Sequence, residues 1–206
     1  MSITDLKACC DEVTQEENVL VAVDNTFATP VLTRPIELGA DIVMHSATKY
    51  LGGHSDALGG FLVTKTQELF KELYFVQNAT GAVMSPMDSF LISRGMKTLD
   101  LRVRAQSETA LDIAIWLNAD ERVSRVLFPG LSGHPGHQIA NTQMNGGFGA
   151  MLSFEVHGDY DTAQRVANST ELFQLAVSLG AVESLIEQPA SMSHASYDRD
   201  DRLKHG

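Results

Sequence analysis

The 206-residue sequence has only two cysteines, Cys9 and Cys10, adjacent to one another and without the C-x-x-C spacing of a redox pair or zinc knuckle. A disulfide-stapled scaffold is thereby excluded, and a reducing, cytoplasmic setting is the expectation. Basic residues are scarce too: 15 Lys and Arg stand against 26 Asp and Glu, a formal net charge of -11. This balance argues against a broad nucleic-acid footprint or a basic membrane-binding face, while leaving room for a local basic pocket. No apolar run reaches membrane-spanning length, and the opening MSITDLKACCDE carries charges where a signal peptide has its apolar stretch. Internal repeats, low-complexity tracts and long linkers are also missing.

What is present is an ordinary globular composition, long enough for one large domain or two small ones. From Val19 the run VLVAV, closed by Asp24-Asn25, has the pattern of a strand buried on both faces. RPIELGAD then reads as a short turn or helix, and Ile42 to Met44 and Phe61 to Val63 repeat the apolar pattern on either side of a glycine-bearing loop. Three short strands with brief connections predict the sheet of an α/β domain. Leu99, Val103, Ala110, Ile113 and Leu117 recur at mostly helical spacing in a stretch free of Gly and Pro, which predicts a long amphipathic helix from about Thr98 to Asn118 joining two units. Beyond it, VSRVLFPG and GAMLSFEVHG read as strands, and DTAQRVANSTELFQLA has helical spacing. The tail from Tyr197 to Gly206 is mostly polar.

The chemistry concentrates in HSATKYLGG, His45 to Gly53. Asp24 and Lys49 each follow an apolar run, and ligands gather where strands of an α/β sheet run into loops. If the two strands are parallel neighbours, carboxylate and amine open on one sheet edge. A partly desolvated lysine there can act as a nucleophile, Schiff-base chemistry being one use of it. Ser46 and Thr48 alternate, so in an extended segment their hydroxyls point the same way and could donate to a phosphate. Lys49 joins them only if the chain turns near Thr48, which Gly52-Gly53 make easier. On spacing alone, a solvated lysine and a strand-ending aspartate remain the commoner explanation.

Other candidates are weaker. His134 and His137, in GHPGH, lack a carboxylate or cysteine cluster to complete a site, so no metal is expected. His45 and His54 flank the lysine and are expected to be satisfied locally. GGHSDALGG matches neither nucleotide-binding glycine pattern. Met84 and Met87 read as packing or interface residues, and Arg102 and Arg104 as residues of solvated or subunit faces.

The segment VAVDNTFATPVLTRPIELGADIVMHSATKYLGGHSDALGG closely resembles the pyridoxal-phosphate segment of the cystathionine γ-synthase and γ-lyase family, the trans-sulfuration enzymes. The similarity continues through GAVMSPMDSFLISRGMKTLDLR, GGFGAMLSFEV and SLGAVESLIEQPASMSHA, nearly the whole chain. The resemblance implies the aspartate-aminotransferase-like (fold type I) α/β fold of a PLP-dependent transferase. Residues 1–100 would be the C-terminal part of the cofactor domain and 101–206 most of a C-terminal α/β domain. It further implies pyridoxal 5'-phosphate held covalently by Lys49, with Asp24 on the pyridine nitrogen, Thr26 close to the ring and Ser46 and Thr48 on the phosphate. Ser178 would help hold the carboxylate of a small amino-acid substrate.

The implied reaction is γ-replacement or γ-elimination on cystathionine or an O-acylhomoserine, Lys49 shuttling protons, in a cytoplasmic homotetramer. Synthase and lyase are both open: GGFGAMLSFEV looks more synthase-like, and GAVMSPMDSFLISRGMKTL also fits γ-lyases. The family's ring-stacking tyrosine, phosphate-gripping glycine turn, Tyr-x-Arg arm and R-L-S-V-G-like segment are not in these 206 residues. Truncation at both ends is therefore expected, and the alternative is a non-catalytic fragment or interaction module that keeps the fold without turnover.

Overall fold

Alternation and capping residues account for most of the elements in a computed structural model of the chain. It describes residues 2–13, 15–16 and 19–205; Met1, and Gly206 at the end of the polar tail, lie outside the described residues. Asp5 accepts from the Ala8 amide at 3.0 Å and starts helix α1, Leu6–Val13, which buries Cys10 against Ala40 and Val43. Strands β1, Ala22–Asp24, β2, Ile42–Ser46, and β3, Gly60–Thr64, form one sheet in the order β1-β2-β3. β1 and β2 are parallel with Asp24 opposite Met44, and β2 and β3 are antiparallel with Ser46 opposite Gly60. The crossover from β1 to β2 carries a short helix α2, Thr29–Leu32, and a 3-10 turn, Pro35–Leu38, in the place expected for a turn or helix.

The expectation that VLVAV is buried on both faces is not met. Val19 and Leu20 stay about half exposed and β1 alternates between exposed and half-buried positions. β1 stands at the sheet edge and pairs on one side only among the described residues, so nothing covers its second flank.

Two helices follow β3 that the apolar pattern did not single out. Thr66 caps α3, Gln67–Thr80, by accepting from the Leu69 amide, and α3 buries none of its residues. Ser85 caps α4, Pro86–Met96, with Pro86 in the first turn, where its missing amide costs nothing. The predicted long helix is α5, Leu99–Asn118, within one residue of expectation. Its buried stripe, Leu99, Val103, Ser107, Ala110, Ala114 and Leu117, joins two core clusters, since Leu99 and Val103 pack with Leu32, Tyr50, Leu51 and Ile92, and Ala110 and Ala114 with Phe128.

Past α5, β4, Val123–Leu127, and β5, Ser153–Val156, pair antiparallel as the two predicted strands, with α6, His137–Gln143, between them. Asp159 caps α7, Tyr160–Asn168. DTAQRVANSTELFQLA is therefore helical only in its first half. The Thr170 hydroxyl donates to the Ala167 and Phe173 carbonyls, at 3.1 and 2.9 Å, and the chain leaves extended as β6, Gln174–Leu175, parallel to β7, Leu185–Ile186. A final helix, α8, Arg199–His205, occupies the polar tail.

The tightest packing joins α4 to the turn after β2. A Cβ on Gly95 would overlap the Gly52 carbonyl, so two backbones meet where no side chain fits. Gly95→Ala is expected to lose about 1–3 kcal/mol of stability, the range of overpacked sites, measured by urea unfolding. A loss near zero would mean that α4 can move off the turn freely.

Candidate functional site

The parallel register delivers the ends of β1 and β2 to one place. The Asn25 amide donates to the Met44 carbonyl at 2.9 Å, continuing the ladder one residue beyond Asp24. The chain then folds back in an Asx-type turn: Asp24 Oδ1 accepts from the Thr26 amide at 3.0 Å and from its hydroxyl at 2.6 Å. Thr26 Oγ1 in turn accepts from the Ser46 amide at 2.8 Å. One buried hydroxyl thus ties the two strand ends together. Asn25 is buried as well, its amide donating to the Thr29 and Thr33 carbonyls.

After Ser46 the extended conformation stops. The Ala47 amide donates to the Gly59 carbonyl at 2.8 Å, and residues Ala47–Leu51 form a wide turn closed by the Gly52 amide on the Ala47 carbonyl, five residues back, at 2.8 Å. Lys49 lies off the helical conformation at φ -92° and ψ -126°, a break in the turn just after Thr48. Its Nζ donates to Ser178 Oγ at 2.8 Å across 129 residues of sequence. Ser178 has φ 106°, a left-handed backbone that disfavours any residue but glycine, and strain of this kind concentrates at functional sites.

The structure thus links Asp24, Thr26 and Ser46 by hydrogen bonds and brings Ser178 to Lys49. Thr48 differs: its Oγ1 accepts from the Gly59 amide at 3.1 Å and lies 3.4 Å from the Gly59 carbonyl, so it reaches a ligand only by sharing that engagement. The donor set fits pyridoxal phosphate. Asp24 spends Oδ1 on Thr26 and leaves Oδ2 without a hydrogen bond among the described residues, as an acceptor for a ring N–H. The Ser46 hydroxyl is likewise unengaged among the described residues, and Lys49 pairs with a neutral hydroxyl rather than a carboxylate.

The arginine expected on a solvated or subunit face is instead part of the scaffold. Arg102 Nη1 donates to the Tyr50 carbonyl at 2.9 Å, Nη2 to the Gly95 carbonyl at 2.9 Å and Nε to the Thr98 hydroxyl at 3.0 Å. Its place in the sequence, one position before buried Val103, sets it at the rim of the stripe, which was the available signal. Arg104 pairs with Asp100 at 3.0 Å on an exposed face, as expected. Tyr50, missed by sequence reasoning, is buried beside Lys49, and burial pushes its phenol up to about 12.

Among the histidines, His54 has its Nδ1 2.8 Å from the Gly52 carbonyl, the local satisfaction expected of it. His45 departs from that expectation: it is buried and its Nδ1 has no hydrogen-bond partner among the described residues. Burial pulls its pKa below the ordinary value, opposed in part by the Asp24 charge. His137 Nδ1 lies 2.7 Å from the Pro129 carbonyl and His134 Nδ1 accepts from the Gly136 amide, and no group of three metal-ligating side chains occurs among the described residues. No helix among the described residues is long and apolar enough to cross a membrane.

The family model for Cys/Met metabolism PLP-dependent enzymes matches residues 1–206. A cystathionine gamma-lyase of Bacillus subtilis is 50% identical over 206 residues, covering 100% of this chain and 54% of that protein. A cystathionine beta-lyase of Coxiella burnetii is 48% identical over 207 residues, covering 100% and 53%. The crystal structure of a cystathionine gamma synthase from Xanthomonas oryzae pv. oryzae, in complex with aminoacrylate and cysteine, superimposes with a TM-score of 0.93 at 46% identity, covering 99% of this chain and 52% of that one. The chain spans about half the length of the curated relatives it matches.

Two outcomes follow from the geometry. Thr26→Val strands the Ser46 amide and removes a donor from Asp24; a loss of about 1–3 kcal/mol is expected in denaturant titration, with Thr26→Ser restoring most of it. For His45, the unfolded chain binds more protons than the folded one below the ordinary imidazole value near 6.5, so stability falls as pH drops through that value. Denaturant midpoints of wild type and His45→Gln followed from pH 7.5 to about 5.5 should show the smaller fall in the variant; equal slopes would assign the acid sensitivity elsewhere.

Proposed function

From the premise that this chain belongs to the Cys/Met metabolism PLP-dependent enzyme family, we propose that the whole protein catalyses γ-replacement or γ-elimination on cystathionine or an O-acylhomoserine. The observation that carries the proposal is the pairing of Lys49 with Ser178 beside the Asp24–Thr26–Ser46 network. When bound, pyridoxal phosphate supplies an electron sink for charge that develops on the substrate carbon. Lys49 would hold it covalently and would move protons at the substrate's α and β carbons. Asp24 Oδ2 would accept from the ring N–H, with Thr26 fixing the carboxylate's orientation. The Ser46 hydroxyl, with Thr48, would donate to the phosphate, and Ser178 Oγ, which accepts from the Lys49 amine, would help hold the substrate carboxylate.

We assign residues 1–100 to the cofactor domain and 101–206 to the C-terminal domain. Cys9 and Cys10 form no disulfide among the described residues, which suits a cytoplasmic protein, and the family resemblance supports a homotetramer. Relatives named for γ and for β chemistry match at nearly the same identity, so overall similarity does not choose the bond. The product does: cleavage of cystathionine at its γ carbon leaves a four-carbon 2-oxo acid, and at its β carbon a three-carbon one.

The purified chain incubated with pyridoxal phosphate, reduced with borohydride and mapped by mass spectrometry should carry one adduct, at Lys49, absent from Lys49→Ala. Scattered substoichiometric labelling of many lysines would sink the assignment.

A further inference from the structure

The Lys49–Ser178 hydrogen bond joins two segments remote in sequence. Both are gripped by the same helix face. Arg102 and Gln106 lie four residues apart on α5 and so project side by side. Arg102 donates to the carbonyl of Tyr50, the residue after Lys49, and to the Gly95 carbonyl. Its guanidinium fills the space a side chain at Gly53 would need. Gln106 Nε2 donates to the Ala181 carbonyl at 2.9 Å, three residues after Ser178. Between the two, the Val182 amide donates to the Gly53 carbonyl at 3.0 Å, and a Cβ on Gly180 would come within 2.6 Å of the Tyr50 amide. The two segments therefore touch along their backbones, and the helix fixes how they are aligned.

We propose that Arg102 and Gln106 are positioning residues that hold Lys49 and Ser178 in register, so that the amine meets its partner hydroxyl before any ligand arrives.

Two costs are explained by this role. Arg102 has no carboxylate within ion-pair distance among the described residues, so a partly buried cation is held by carbonyls and a hydroxyl alone. Gln106 Oε1 is buried without a hydrogen-bond partner among the described residues, a penalty that a leucine or methionine at this position would not carry. These costs are incurred at the two side chains that align the segments carrying Lys49 and Ser178. Arg102 is also irreplaceable by lysine, because three acceptors in fixed directions match a planar fork and not a single ammonium.

The inference rests on the reading of Lys49 as the cofactor lysine, and its test separates the two. Gln106→Met, Arg102→Met and Arg102→Lys are prepared in the full chain. Amide exchange is measured without cofactor, and pyridoxal phosphate is then titrated with borohydride trapping at Lys49. Gln106→Met should leave the unfolding midpoint near that of wild type, speed exchange in residues 178–184 by about tenfold, and raise the concentration needed for half-trapping at Lys49 by about tenfold. Arg102→Met should do the same for residues 50–53, with Arg102→Lys recovering only part. Should Arg102→Met fail to fold, Gln106→Met still decides the matter. Unchanged local exchange and trapping in Gln106→Met overturns the proposal, as does faster exchange spread uniformly over the chain, which marks a general stabiliser. Absence of Lys49 trapping in wild type defeats the functional reading instead, and the exchange data then judge the clamp by themselves.

Discussion

The site depends first on one hydroxyl. Thr26 Oγ1 donates to Asp24 and accepts from the Ser46 amide, so it satisfies a carboxylate and a buried backbone donor at once. Parallel strands share no tight turn, and without such a cross-link the ends of β1 and β2 would be held only by their ladder. Because Asp24 closes one strand and Ser46 the other, the same hydroxyl ties the two strand ends together. The wide turn at Ala47–Leu51 then carries Lys49 out of the strand's alternation, and the Gly52–Gly95 contact prevents that turn from relaxing.

Much of this was legible in the sequence, for reasons that can be stated residue by residue. Asp24 and Lys49 were readable because each follows an apolar run, and the parallel pairing that brings the ends of their strands together is the usual one for short strands with a helical crossover. The span of α5 was readable because its buried positions repeat without interruption. The identity of the cofactor was not legible in spacing; it came from several motifs in order, and the family match over the whole chain bears it out.

What was illegible has physical causes as well. α3 buries nothing, so it has no apolar stripe to announce it. The burial of β1 could not be judged from valines alone, since burial depends on which strands flank it. TELFQLA has helical spacing, yet a threonine hydroxyl satisfies the last carbonyls and turns the chain away. Arg102 was misassigned because charge suggests solvent, whereas its acceptors are backbone carbonyls that no side-chain pattern reveals.

Ser178 occupies a backbone conformation in which glycine sits without strain. Replacing it with glycine would relieve the backbone and delete the hydroxyl to which Lys49 donates. Backbone relaxation and the Lys49–Ser178 hydrogen bond therefore pull on this codon in opposite directions. A thermostability screen that ignores chemistry would be drawn to position 178, and the variants it favoured there would be sturdier proteins with an untethered lysine.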